Sequence, residues 1–289
     1  MLAMQILVDG FVVSALYGLG AIGFTIIFGV SGVLNLAHGG IMVTAAMIAW
    51  WAALSFGTYW GALAGVGAGV AAAYVTYYLV VRPIKFSPKI AEEEKEIFIL
   101  TATLLWAIMI QEGIAYLFTS NPVTVRPLVP GVTAFLGVRT PTNELLIGVV
   151  CWLVIGLLYL FVNHTKLGKS VLAAAINPRG LALLGFDLPR IQAFVWGLYG
   201  LLAGIAGVLL ATFIGASSNN VGDLTGSAFS IVVFGGLGSV PGSLIAAYII
   251  GYFETATAYL VTPAIREMPA LAILVLVLYL RPQGLLGRR

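Results

Sequence analysis

Long apolar runs separated by short polar or glycine-rich intervals organise this chain; one-sided helical stripes and strand-like alternation do not. Runs near 6–28, 36–55, 60–81, 97–118, 144–163, 191–213, 242–262 and 266–280 each approach the roughly 20 apolar residues that a helix needs to cross a bilayer. A shorter stretch, 226–236 (GSAFSIVVFGG), predicts a short, tilted or broken helix ended by the glycine-rich turn 235–242. Irregular backbone at membrane depth survives only inside protein or against a wet cavity, so this part is expected to face the interior. The pattern predicts an all-α polytopic membrane protein of about eight to nine transmembrane helices, a single domain over 1–289, with a short broken helix near 226–242.

Composition strengthens that reading. The 289 residues are 61% hydrophobic and 9% charged, against about 25% charged residues in a soluble domain. Asp9 is the only formal charge among the first 81 residues, and the N-terminus lacks the basic region of a cleaved signal. A net charge of +3 does not point to nucleic acid, because the cations sit between spans, where they act as topology signals. Arg82, Lys85, Lys89 and Lys95 fall in one loop, Lys166, Lys169, Arg179 and Arg190 in another, and Arg281, Arg288 and Arg289 in the tail. The interval 119–143 holds only Arg126 and Arg139, and 214–225 holds no cation. The first three regions are therefore expected in the cytoplasm. Counting 226–236 as a crossing gives nine, with the N-terminus outside and the C-terminus cytoplasmic. Glu92–Glu94 and Glu96 read as a solvated loop and helix start. Trp50, Trp51, Tyr59 and Trp60 read as an interfacial belt. Cys151 is the lone cysteine, so no internal disulfide can form.

The interval 163–190 (NHTKLGKSVLAAAINPRGLALLGFDLPR) is a basic insert too short to be a domain. Residues 169–176 suit a helix, Asn177-Pro178 interrupts it, and 179–184 can resume before Gly185. Such a segment fits a partner's groove or lies on anionic lipid.

Three other features bear on chemistry. Asn35 and His38 stand among Gly29, Gly32, Gly39 and Gly40 between two apolar spans; they either line a solute path or form a hydrogen-bonded pair that fixes a helix break. Gly235, Gly236, Gly238, Pro241 and Gly242 cannot be a phosphate loop, which needs a Gly-Lys-Ser/Thr ending; they mark a helix break or hinge. Gln111, Glu112 and Glu254 fall within apolar runs, Glu112 deep in the fourth and Glu254 mid-span in the eighth. Intramembrane ionisable groups are costly and therefore candidates for the substrate pathway, where a carboxylate could meet an ammonium group, although Glu254 could instead only join neighbouring helices. Asp223 is expected in an external loop. His38 and His164 are the only histidines, so neither a histidine metal site nor a Ser-His-Asp triad is expected, and no enzyme activity or bound cofactor is expected of the chain. The segment 24–33 (FTIIFGVSGV) echoes 229–240 (FSIVVFGGLGSV), a hint of the internal repeats found in transporters.

GVSGVLNLAHGG (29–40), INPRGLALLGF (176–186) and FGGLGSVPGSLIAA (234–247), followed by Glu254 and the closing RPQGLLG (281–287), occur in an order that resembles permease subunits of ABC importers for branched-chain amino acids. The resemblance spans essentially the whole chain. It implies a multi-pass subunit of a bacterial plasma membrane that forms half of a translocation pathway. The implied partners are a second homologous permease, two cytoplasmic ATPases that bind the ATP, and an external solute-binding protein. It also implies that 164–190 is the coupling segment on the ATPase, with Lys169, Arg179, Leu181, Leu184 and Gly185 as contacts. Arg179-Gly180 departs from the family, which has an acidic residue and alanine there. Relatives carry other small solutes such as amides. The competing reading is a stand-alone secondary transporter or channel, which has no need of the basic insert.

Overall fold

A computed structural model describes residues 2–281 and 283–287. Helix α1 (Leu2–Ser31) is followed by six non-helical residues, and α2 (His38–Phe56) turns at Gly57 into α3 (Thr58–Thr76). A π-turn carries α3 into α4 (Arg82–Lys85), and α5 (Glu92–Leu117) leads to a hairpin of β1 (Val132–Phe135) and β2 (Val138–Pro141). Next come α6 (Thr142–His164), the short helices α7 (Lys166–Ile176) and α8 (Pro178–Leu183), and α9 (Leu188–Phe213). Finally, α10 (Asn220–Gly235), α11 (Val240–Leu260) and α12 (Met268–Leu280) close the chain. Among the described residues, seven helical segments are long and apolar enough to span a membrane. The shorter α10 and the more polar α11 run beside them. The fold is the all-α polytopic membrane bundle that the hydropathy pattern predicts.

Apolar runs of similar composition take opposite places. The most hydrophobic window of α1 is 78% buried, whereas the segment Pro263–Leu280, which ends in α12, is 11% buried. Helix α1 is the hub, packed against α6, α9, α10 and α11. It runs antiparallel to α11: Tyr252 lies over Gly10, Ser14 against Gly251, and Thr25 shares a 2.6 Å hydrogen bond with Ser243. The α3–α9 contact depends on small residues in both helices. A Cβ on Gly69 would fall 2.6 Å from the Gly204 Cα, the kind of close approach that packs helices where no hydrophobic effect drives them together.

Contacts also sort the bundle into two ends. At one, the Lys85 ammonium donates to the Ser31 carbonyl (2.5 Å), and Gly29 abuts Ala175 and Gly238. The other carries the hairpin, with Tyr252 donating to the Leu7 carbonyl (3.2 Å) and Tyr59 to that of Leu128 (3.1 Å). Residues 284–287 pack at the α7–α8 end, against Gly236. The first and last described residues thus lie toward opposite ends, as an odd number of traverses requires. The Phe-Gly-x-x-Gly echoes at 24–33 and 229–240 lie side by side, touching through Gly29 and Gly238. Of the residues used above for topology and resemblance, Pro282, Arg288 and Arg289 lie outside the described residues.

Two expectations need correction. The short stretch 226–236 belongs to a 16-residue helix that starts at Asn220. Its polar opening NVGDLTGS hides a helical run whose Thr225 and Ser227 are buried against neighbours. Asp223 accordingly sits in the first turn of α10, not in a loop, though it is exposed.

Candidate functional site

Between the two helices, residues 33–37 are buried or half-buried and outside helical structure, so their backbone N–H groups need other partners. The Leu36 amide donates to Thr103 Oγ1 of α5 (3.2 Å), and the Ala37 amide to Asn35 Oδ1 (3.1 Å). At the start of α2, the Gly39 amide donates to Thr225 Oγ1 of α10 (2.9 Å), whose hydroxyl donates to the Val221 carbonyl (2.8 Å). One hydroxyl ties the side chains together: Asn35 Nδ2 donates to Tyr199 OH at 3.1 Å, and His38 Nδ1 lies 2.9 Å from the same oxygen. The His38 ring stacks on Phe24 with centroids 5.4 Å apart, while its Nε2 has no hydrogen-bond partner. Asn35, His38 and Tyr199 are all fully buried. In this conformation the pair braces a helix break and does not reach solvent.

Tyr199, Thr103 and Thr225 complete this network, and the sequence reading missed all three. Tyr199 is a single hydroxyl in an apolar stretch, Thr103 shares its stretch with Thr101, and Thr225 lies in the polar opening of α10; none carries a local signal that its partner is far away in the chain. Replacing Tyr199 with phenylalanine strands both Asn35 Nδ2 and His38 Nδ1. Losing a partner in a buried site costs about 1–3 kcal/mol, but hydrogen bonds within membranes average nearer 0.6 kcal/mol. The expected loss is therefore about 1–2 kcal/mol, read as a thermal-inactivation midpoint several degrees lower in detergent. An unchanged midpoint would show that the two contacts carry no stability.

Glu254 is 2% exposed. It accepts from Tyr17 OH at Oε2 (2.7 Å) and from Ser227 Oγ at Oε1 (3.2 Å), joining α11 to α1 and α10. Gln111 and Glu112 belong elsewhere. Glu112 is not deep in its span: it lies five residues before the end of α5 and is exposed, while Gln111 is half-buried. An apolar sequence window does not reveal which face of a peripheral helix a residue occupies.

The glycine-rich break occupies 236–239. Gly236 has φ +102° and Gly238 φ +82°, values that side chains disfavour. Gly235 and Gly242 touch backbone to backbone, and Ser239 Oγ caps α11 by accepting from the Gly242 amide (3.2 Å). The C-terminal segment supplies what the end of α10 lacks: the Leu285 amide donates to the Phe234 carbonyl (2.8 Å) and that of Leu286 to Gly235 (3.0 Å). Those carbonyls have no partner within their own helix.

The basic insert folds as its sequence suggests. Thr165 Oγ1 caps α7 by accepting from the Gly168 amide (2.9 Å), and Asn177 Oδ1 caps α8 through Gly180 (2.8 Å). Gly185 follows at φ +85°. Val171, Ala174 and Leu181 are buried against the bundle. Leu181 thus faces inward and is removed from the contact candidates, while Leu183, which the sequence reading passed over, is 89% exposed and Leu184 is 77% exposed. Lys169, Arg179 and Gly185 are also exposed. An apolar pair thus projects from a basic surface.

Residues 6–278 match the family described as "Branched-chain amino acid transport system / permease component". The high-affinity branched-chain amino acid transport system permease protein LivH of Escherichia coli K12 is 27% identical over 296 residues, covering 99% of this chain and 96% of the relative. BraD of Pseudomonas aeruginosa, described in the same terms, is 31% identical with the same coverage. Among solved structures, PsaBC from Streptococcus pneumoniae, determined in complex with Fab, aligns with a TM-score of 0.53 at 12% identity, over 96% of this chain and 92% of that one; this likeness concerns the fold alone. With a match over nearly its whole length and a bundle of the expected kind, the chain belongs to the family of permease components of branched-chain amino acid transport systems.

Proposed function

We propose that this chain is one of two permease subunits of an ATP-driven importer in a bacterial plasma membrane, carrying branched-chain amino acids or related small amino acids. Its partners are a second, similar permease, two cytoplasmic ATPases and an external solute-binding protein. The chain binds no nucleotide and catalyses no reaction; ATP is bound and hydrolysed by the ATPases. The end carrying α7 and α8 faces the cytoplasm together with the C-terminus, in agreement with its excess of Lys and Arg.

The observation that carries this reading is the exposed Leu183–Leu184 pair at the end of a short helix whose buried face touches the bundle. An apolar pair with a cationic surround suits a groove on a soluble partner better than it suits water. Movement of α8 would pass through α7 to the end of α1, where Ala175 meets Gly29, and from there to Gly238. Asn35 and His38 then act at the break between α1 and α2, and Glu254 ties α11 to α1 and α10, along a path whose rearrangement alternates access to the solute.

Purifying the tagged chain from its native membrane in mild detergent tests the assembly. Two ATPases and a second permease are expected by mass spectrometry, and vesicles holding the complex should accumulate amino acid only with ATP inside and binding protein outside. A homo-oligomer that moves solute without ATP would replace this reading with that of a stand-alone carrier.

A further inference from the structure

A small cavity of about 190 Å³ opens at the end of the bundle opposite α7 and α8, between α1, α9, α11 and the turn before α12. At about 30 Å³ per water, it holds some six waters, well below the 300–1,000 Å³ of a drug-sized pocket. Its walls differ in character. Leu16, Leu210 and Phe213 form an apolar side, Asp9 and Glu254 an acidic one, and Arg266 stands by the partly exposed rim.

The acidic side is not fully satisfied within the protein. Asp9 is 7% exposed; Tyr259 donates to its Oδ2, but its Oδ1 has no hydrogen-bond partner. Glu144 of α6 stands within side-chain hydrogen-bond reach of Asp9, its Oε2 otherwise without a partner. Two carboxyls in hydrogen-bond contact hold one proton between them and keep a single negative charge, which favours a cation close by. Among the described residues no three acidic, histidine or cysteine side chains converge closely enough to hold a metal ion. The Arg266 guanidinium meets Glu267 only at 3.6 Å, which leaves donors free for a second carboxylate.

From this arrangement we infer that the cavity is a transient subsite for a zwitterionic amino acid entering the permease. Asp9 and Glu254 receive its ammonium, Arg266 its carboxylate, and Leu16, Leu210 and Phe213 its aliphatic side chain. The inference rests on the amino-acid importer reading above and adds a binding place within this chain, separate from any on the binding protein. A small site lined by both charge signs discriminates against solutes that carry only one, because a missing group leaves its buried partner unpaired.

The test uses the assembled importer in vesicles. Ala258 lines the cavity and is half-buried, while the only native cysteine, Cys151, is buried, so Ala258→Cys provides a single reactive thiol at the site. In the absence of binding protein, millimolar L-leucine should slow its labelling by a charged maleimide severalfold. Neither leucinamide nor 4-methylpentanoate, which lack the carboxylate charge and the ammonium respectively, should do so. Arg266→Gln should abolish the protection and lower leucine uptake at saturating binding protein by at least about tenfold, with Arg266→Lys retaining part of it. Equal labelling with and without leucine, in an importer that transports leucine, overturns the subsite and leaves the importer reading standing. Protection by all three compounds alike overturns the zwitterion assignment. A wild-type importer that moves no amino acid overturns both readings. If Arg266→Gln does not assemble, the labelling contrast among the three compounds still decides.

Discussion

Replacing Gly39 with valine is expected to leave almost no folded permease in the membrane. A Cβ at this position would fall 2.1 Å from the Val221 carbonyl oxygen, 2.8 Å from Thr225 Oγ1 and 3.0 Å from the Thr225 amide nitrogen. Two of those atoms are α10 backbone, which cannot rotate aside as the tip of a side chain can. Valine would therefore push the start of α2 away from α10 and break the Gly39–Thr225 hydrogen bond that anchors it. Overpacking alone costs about 1–3 kcal/mol, and a stranded buried amide adds about as much again; marginal stability is only 5–15 kcal/mol in total. Gly67 in α3 provides the contrast, since a Cβ there would meet nothing within 4 Å, and Gly67→Val should accumulate like wild type. Fluorescence-detected size exclusion of tagged variants compares them directly. A monodisperse Gly39→Val peak of normal height would refute the close packing of α2 on α10.

The same helix break marks where the sequence stopped being informative. Hydropathy placed the long spans within a few residues, because the oily length needed to cross a membrane is written locally. The basic insert was legible down to its interruption at Asn177-Pro178, because capping by Thr165 and Asn177 and the stop at Gly185 are also local chemistry. What stayed hidden depends on the third dimension. α1 and α12 are both strongly apolar, yet one is the hub and the other faces outward. His38 could be recognised as unusual, but its partner Tyr199 lies 161 residues away. Glu112 was misplaced for the same reason: hydropathy averages over a helix, and only packing decides which face is covered. Asp9 and Arg266 passed unremarked as possible binding groups because nothing in the chain between them says that their helices close around one cavity.

Exchanging Leu183 and Leu184 for aspartate should disconnect the permease from its ATPases while leaving the chain folded and in the membrane. The two side chains are 89% and 77% exposed, so the isolated subunit loses no packing when they change. Their worth would appear on docking: burying one leucine contributes about 1.5–3 kcal/mol, so the pair accounts for about two to four orders of magnitude in affinity. The introduced carboxylates would in addition be buried unpaired if the groove still closed over them. Binding-protein-stimulated ATPase activity and uptake should both fall at least about tenfold, with normal amounts of chain in the membrane. Leu181 separates this outcome from general damage. It is 5% exposed, on the inner face of α8, so Leu181→Ala should act through stability, costing about 2–5 kcal/mol and reducing the amount of folded chain. Opposite phenotypes from residues two positions apart on one short helix would follow from a docking surface seated on the bundle. A helix resting on anionic lipid would also reject the aspartates, but its ATPase subunits would still co-purify; loss of those subunits from the Leu183→Asp/Leu184→Asp permease is the result that distinguishes the ATPase from the membrane as the partner of α8.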